Sequence, residues 1–228
     1  MSRSGTIAVS VEATPKKAFA TAVDWPGWSR SGKTEELALA ALADYAPRYA
    51  AVAAEAGIPF EPGDYEVVER TGGGGGTDFG VPSSITDLDR RPVDAAEAER
   101  QARLVEAAWT VFARVSAGAP AELRKGPRGG GRDRDKMVGH VAESDGYYAR
   151  EIGITGKKPD PTDRPGTEAM RAEMLQILRH PSDGSPLAGR TWTARYAARR
   201  IAWHALDHTW EMQDRSSPGV SPDKRLSG

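Results

Sequence analysis

The sequence predicts an α+β N-terminal unit followed by an all-α four-helix bundle. Three observations carry this expectation. Apolar residues alternate in Thr6-Ile7-Ala8-Val9-Ser10-Val11 and again near Tyr65-Glu66-Val67-Val68, five glycines in a row occupy positions 72–76, and from Asp94 onward the apolar residues recur with a helical period. The expected division is a small α+β unit over residues 1–71 and a Gly/Pro-containing linker over 72–93. The bundle then covers 94–216, and 217–228 forms a flexible tail.

In order along the chain, alternation predicts a first strand over 6–11, and the apolar stretch 18–23 runs into the turn Trp25-Pro26-Gly27-Trp28. Thr34 followed by Glu35 and Glu36 is an N-cap with two acids in the first turn, opening an alanine-rich helix to about residue 54; residues 64–69 return as a strand. The glycine run lacks the strand, spacing and lysine of a phosphate-binding loop and reads as a linker or flexible loop. Helices are expected over 95–117, 133–151, 167–178 and 191–214. In the first of these, Leu104, Ala108, Val111, Phe112 and Val115 share one face; in the last, Ala194, Ala197, Ala198, Ile201, Ala205 and His208 do the same. Four such amphipathic helices close most simply into a bundle.

Composition bounds the function. A 228-residue chain with 39% hydrophobic residues can bury a sizeable core, and a formal net charge of -1 gives no bulk attraction to nucleic acid. No long apolar run suggests a membrane span, and Met1-Ser2-Arg3-Ser4-Gly5 lacks the apolar segment of a signal peptide, so the expected location is cytoplasmic. With no cysteine the chain brings no thiolate of its own, and any metal must be held by nitrogen or oxygen. The stretch 124–136 carries six basic residues interrupted by Asp133 and Asp135. It reads as a solvated loop, or as the rim of a pocket where Arg132 and Arg134 attract an anionic small molecule; nucleic acid ranks below both. A small bundle with spare apolar faces can also form a homodimer.

The chemistry gathers on three of the four histidines. His204 and His208 are four residues apart, one above the other on a helix, and accompany Ile201, Ala205 and Met212. His140 shares a face with Met137, Val141, Ser144 and Tyr148. If the two helices are neighbours, three imidazoles converge. Three neutral imidazoles with a fourth position open make a divalent-metal centre that zinc suits and that nickel or iron(II) also fits. The competing reading is three polar side chains satisfied within a helix interface. A metal-dependent enzyme also needs a proton carrier, for which Glu143, Tyr148 and Asp207 are nearest in sequence. His180, where a helix stops before Pro181, favours the terminal carbonyls and is outside the metal set. Trp25 and Trp28 either cover a pocket mouth or seal an interface.

Gly139-His140-Val141-Ala142-Glu143 and Ile201-Ala202-Trp203-His204-Ala205-Leu206-Asp207-His208, in this helix order, resemble the two signatures of the DinB-like (YfiT-like) metal-binding four-helix superfamily over about residues 90–216. The resemblance implies a divalent ion on His140, His204 and His208. It also implies isomerase, transferase or conjugation chemistry with a low-molecular-weight thiol such as mycothiol, bacillithiol or glutathione, whose thiolate forms on the metal. The alternative within the same superfamily is a non-catalytic metal-bound binding or protein-interaction module. Separately, the stretch from Phe19 through Trp25-Pro26-Gly27-Trp28 to Ala38 is similar to HicB-like antitoxin domains, a likeness spanning about residues 6–56.

Overall fold

The computed structural model describes residues 5–126 and 130–216, so the tail expected over 217–228 and part of the basic loop lie outside the described residues. The N-terminal unit opens with β1 (Ile7–Ala13), β2 (Ala18–Ala22) and β3 (Ser29–Gly32), paired antiparallel in succession. After a helical crossover, β4 (Tyr65–Gly72) lies parallel to β1, which gives the strand order β3-β2-β1-β4. A parallel pair needs such a crossover, and α1 (Glu35–Asp44) and α2 (Ala46–Glu55) supply it. Thr34 caps α1, its hydroxyl accepting the Leu37 N–H at 3.3 Å.

Where periodicity predicts one helix to about residue 54, the structure has two, broken at Tyr45. The cause is Pro47 in the first turn of α2: it lacks an N–H, and its ring would collide with the carbonyl four residues back in a continuous helix.

Every residue of β2 is buried, because both faces of the sheet are covered there. Phe19, on the face opposite Ala18, Ala20 and Ala22, meets Trp203 of the bundle edge-on at 6.2 Å. Trp28 lies wholly inside, stacked on Tyr49 at 5.3 Å with its indole N–H donated to the Leu42 carbonyl at 2.9 Å. Trp25 meets Tyr49 and Phe60 edge-on. The two turn tryptophans therefore pack into the unit's interior, the sealing role of the two expected for them. Between them Gly27 adopts a φ of +92°, and a Cβ there would come within 2.7 Å of Leu206, so the turn seats directly on the last helix.

The glycine run ends β4 and begins α3 (Gly75–Phe79). Buried Glu12 of β1 holds the stretch that follows, accepting from the Thr77 hydroxyl at 2.8 Å and from the Ser83 and Ser84 amides at 3.1 and 2.9 Å. Further on, Asp89 pairs with Arg199 of the last helix at 2.6 Å, and Arg199 also donates to the Ser84 carbonyl. This segment is thus bonded both to the sheet and to the bundle, more closely than the turn-rich composition suggests.

The bundle comprises α4 (Ala95–Gly118), α5 (Arg134–Glu151), α6 (Arg164–Leu178) and α7 (Ala194–Ser216). Helix α6 starts one turn earlier than periodicity predicts, because Asp163 caps it by accepting the Gly166 N–H at 3.0 Å and Pro165 occupies the first turn. Helix α7 starts later, at Ala194, where the Thr193 hydroxyl accepts the Tyr196 N–H and donates to the Asp89 carbonyl. In the ring of four, α7 and α6 each pack between α4 and α5. That ring makes α5 and α7 neighbours, which is the condition for the three histidines to meet. Among the described residues no helix is long and apolar enough to cross a membrane.

Candidate metal centre

His140 projects from the middle of α5 and His204 and His208 from successive turns of α7, at the seam between the two helices. The imidazole centres of His140 and His204 lie 5.0 Å apart, those of His140 and His208 5.0 Å, and those of His204 and His208 4.7 Å. All three pairs cross steeply, and one nitrogen of each ring lies within 4.8 Å of the others. The Nε2 atoms of His140 and His204 are 3.3 Å apart. Two nitrogens bound at about 2.0–2.1 Å to a tetrahedral ion are separated by about 3.3 Å, so this edge already matches a coordination polyhedron.

The electrostatics keep the rings available as ligands. Burial, reinforced by the positive fields of His208 and Arg132, pushes His140 down to about 4. Burial likewise holds His204 well below its ordinary value, and His208, Arg200, His140 and Arg132 act in the same direction. Both rings are therefore neutral at pH 7, the form in which imidazole binds a metal. His208 is oriented by Glu211, one turn on, whose Oε2 takes its Nδ1 at 3.0 Å. A proton on that nitrogen leaves Nε2 with the lone pair. Glu211 is kept ionised by that hydrogen bond and by the Arg215 guanidinium at 2.7 Å. A carboxylate behind a histidine ligand fixes the ring and raises its basicity. The three histidines can hold a divalent ion.

Among the other residues anticipated at the site, Tyr148 is brought in and the rest are spread outward. Its ring stands edge-on to His204 at 5.6 Å, and burial pushes its phenol up to about 12, so it stays protonated at neutral pH. Glu143, exposed on α5, faces Lys158 at 3.5 Å. Asp207 is turned toward the N-terminal unit, where Arg30 of β3 donates to it at 2.9 Å. Arg132 is exposed and close enough for its charge to act on His140 and His204. Arg134 is engaged by Asp135 at 2.7 Å and by the Ala119 carbonyl at 3.0 Å, and lines a groove among α4, α5 and α6 in which none of the three histidines takes part. His180, just past α6, bonds the Gln176 carbonyl through Nδ1 at 2.7 Å. The residue that sequence reasoning passed over is Glu211, whose one signal is a carboxylate three positions after His208.

Compared with protein-family models, with curated proteins and with solved structures, the chain matches none. The α+β unit, the four-helix bundle and the tri-histidine cluster rest on the structure itself and are consistent with the DinB-like resemblance.

Proposed function

We propose that this chain is a divalent-metal-dependent transferase or isomerase of DinB-like type, with zinc as its resident ion and a low-molecular-weight thiol as cosubstrate. The observation that carries the reading is the convergence of three imidazoles in one cluster with no carboxylate in the set, which leaves a coordination position for an outside ligand. When bound there, a divalent ion lowers the pKa of a coordinated water or thiol and polarises a carbonyl oxygen. A chain without cysteine depends on an external thiol for sulfur nucleophilicity. Glu211 orients His208, the buried Tyr148 ring stands beside His204, and Arg132 adds positive charge close to His140 and His204.

The second reading, a non-catalytic metal-bound interaction module, is favoured by one observation. Glu143 and Asp207, two of the carboxylates close to the histidines in sequence, are each engaged by a cation directed elsewhere. Cobalt-substituted protein separates the two. Titration with glutathione, bacillithiol and mycothiol is expected to produce a sulfur-to-cobalt charge-transfer band in the near ultraviolet with at least one of them. Stoichiometric cobalt with no such band from any thiol would favour the interaction module.

A further inference from the structure

Arginines on α7 differ in what they face. Arg195, Arg199 and Arg215 each meet a carboxylate, that of Glu97, Asp89 and Glu211 respectively. Arg200, one turn before His204, meets none among the described residues, and its Nη1 is shut away from solvent without a hydrogen-bond partner. The guanidinium lies 4.8 Å from the centre of the Trp203 ring and 5.1 Å from that of Tyr148. Those rings in turn stand 6.2 and 5.6 Å from the His204 imidazole. Trp203 is 3% exposed, and its indole Nε1 is also buried with no partner.

Two buried donor atoms beside the histidine cluster, Arg200 Nη1 and Trp203 Nε1, therefore have no partner among the described residues, although the guanidinium also bonds the Tyr148 phenol. Neither guanidinium nor indole can accept a hydrogen bond. Buried polar groups in native proteins are normally paired, and donor-only groups carrying a positive charge are completed by an anionic acceptor. The planar guanidinium fork matches a carboxylate in shape. The surroundings are aromatic: Tyr148 stands against Trp192 at 5.3 Å, and Trp192 against Tyr196 at 5.0 Å. Aromatic surroundings suit an unsaturated or aromatic body more than a sugar or a phosphate ester.

We infer that Arg200, with the Trp203 indole N–H, forms the anion subsite of the tri-histidine centre and receives the carboxylate of a small, flat organic acid. Its part in turnover rests on the metal-dependent reading above; binding of the acid is testable without it. The neighbouring Arg199 is excluded from this role because Asp89 and the Ser84 carbonyl already occupy it.

Benzoate and benzamide, alike in shape and different in charge, serve as probes in calorimetric titrations of the metal-loaded protein and of the same protein after treatment with chelator. Benzoate is expected to bind, with benzamide weaker by about tenfold or more. R200M should weaken benzoate by about tenfold or more while metal content stays unchanged, and R200K should recover part of the loss. If R200M fails to give the wild-type far-ultraviolet spectrum, R200Q takes its place. Equal benzoate affinity in wild type and variant, equal affinity for benzamide, or no binding of benzoate by the wild type overturns the assignment. Should the wild type take up no ion, the metal reading fails, and the Arg200 dependence of benzoate binding to the metal-free protein still decides the subsite.

Discussion

At the scale of single residues, the centre depends on side chains that hold its histidines correctly turned. Glu211 is the clearest case, since it fixes His208 through Nδ1 and is itself anchored by Arg215. E211Q is expected to lower metal affinity by about 10–100-fold, measured by competition with a chromogenic chelator, with the fold retained. An unchanged affinity would reduce Glu211 to a surface partner. The depressed pKa values of His140 and His204 set a second expectation. In the unfolded chain both protonate near pH 6.5, whereas in the folded metal-free protein His140 waits until about 4 and His204 also resists. Between those values the unfolded state binds more protons, so stability rises with pH and falls as the solution is acidified from about 6.5 toward about 4. Melting temperatures of metal-free protein across that window should decline less steeply in H204L than in the wild type; parallel slopes would contradict the assignment of burial to His204. The spacing of His204 and His208 was legible as one helix face. Glu211 was not, because a carboxylate one turn away on a helix is ordinarily solvated, and Arg200 was hidden among arginines whose partners lie far away in sequence.

At the scale of elements, local chemistry accounts for where helices start and stop, and long-range contacts account for what they touch. Pro47 and Asp163-Arg164-Pro165 are breaks and starts that the sequence states openly. The adjacency of α5 and α7, on which the convergence of three imidazoles depends, is a property of bundle packing that periodicity alone leaves undetermined. The segment from 72 to 93 shows the same limit. Its composition reads as a linker, yet it is held by Glu12 from one side and Arg199 from the other. Arg199 and Asp89 have side chains only 6% and 7% exposed, so removing one leaves a buried charge without its partner. Asp89→Ala is expected to cost about 3–5 kcal/mol in chemical denaturation. A loss below about 1 kcal/mol would mean that the pair contributes little to fastening this segment.

At the scale of the whole molecule, the sheet unit and the bundle share one apolar core, from Val9, Val11 and Trp28 through Leu104 and Val105 to Ile201, Leu206 and Trp210. Polar ties cross the same boundary: Arg30 to Asp207 and Arg48 to Asp214. The expected consequence is one cooperative unfolding transition, with near-ultraviolet signals from tryptophans of both units and far-ultraviolet helicity changing together. Two separated transitions would show that the units are energetically independent. Composition predicted both parts but not their union, because Phe19, Gly27 and Arg30 of the first unit acquire their meaning only against Trp203, Ala202, Leu206 and Asp207 of α7. The same helix carries two of the three metal-binding candidates, so the N-terminal unit buttresses the back of the centre.

The most direct test of the account is metal content by elemental analysis, on protein purified without chelator or immobilised nickel, in parallel with His204→Ala. The account predicts about one divalent ion per chain in the wild type and loss of that ion in a variant that keeps its helical spectrum. Folded wild-type protein that holds no ion and takes none up on addition, or a variant that retains it stoichiometrically, would contradict the central claim.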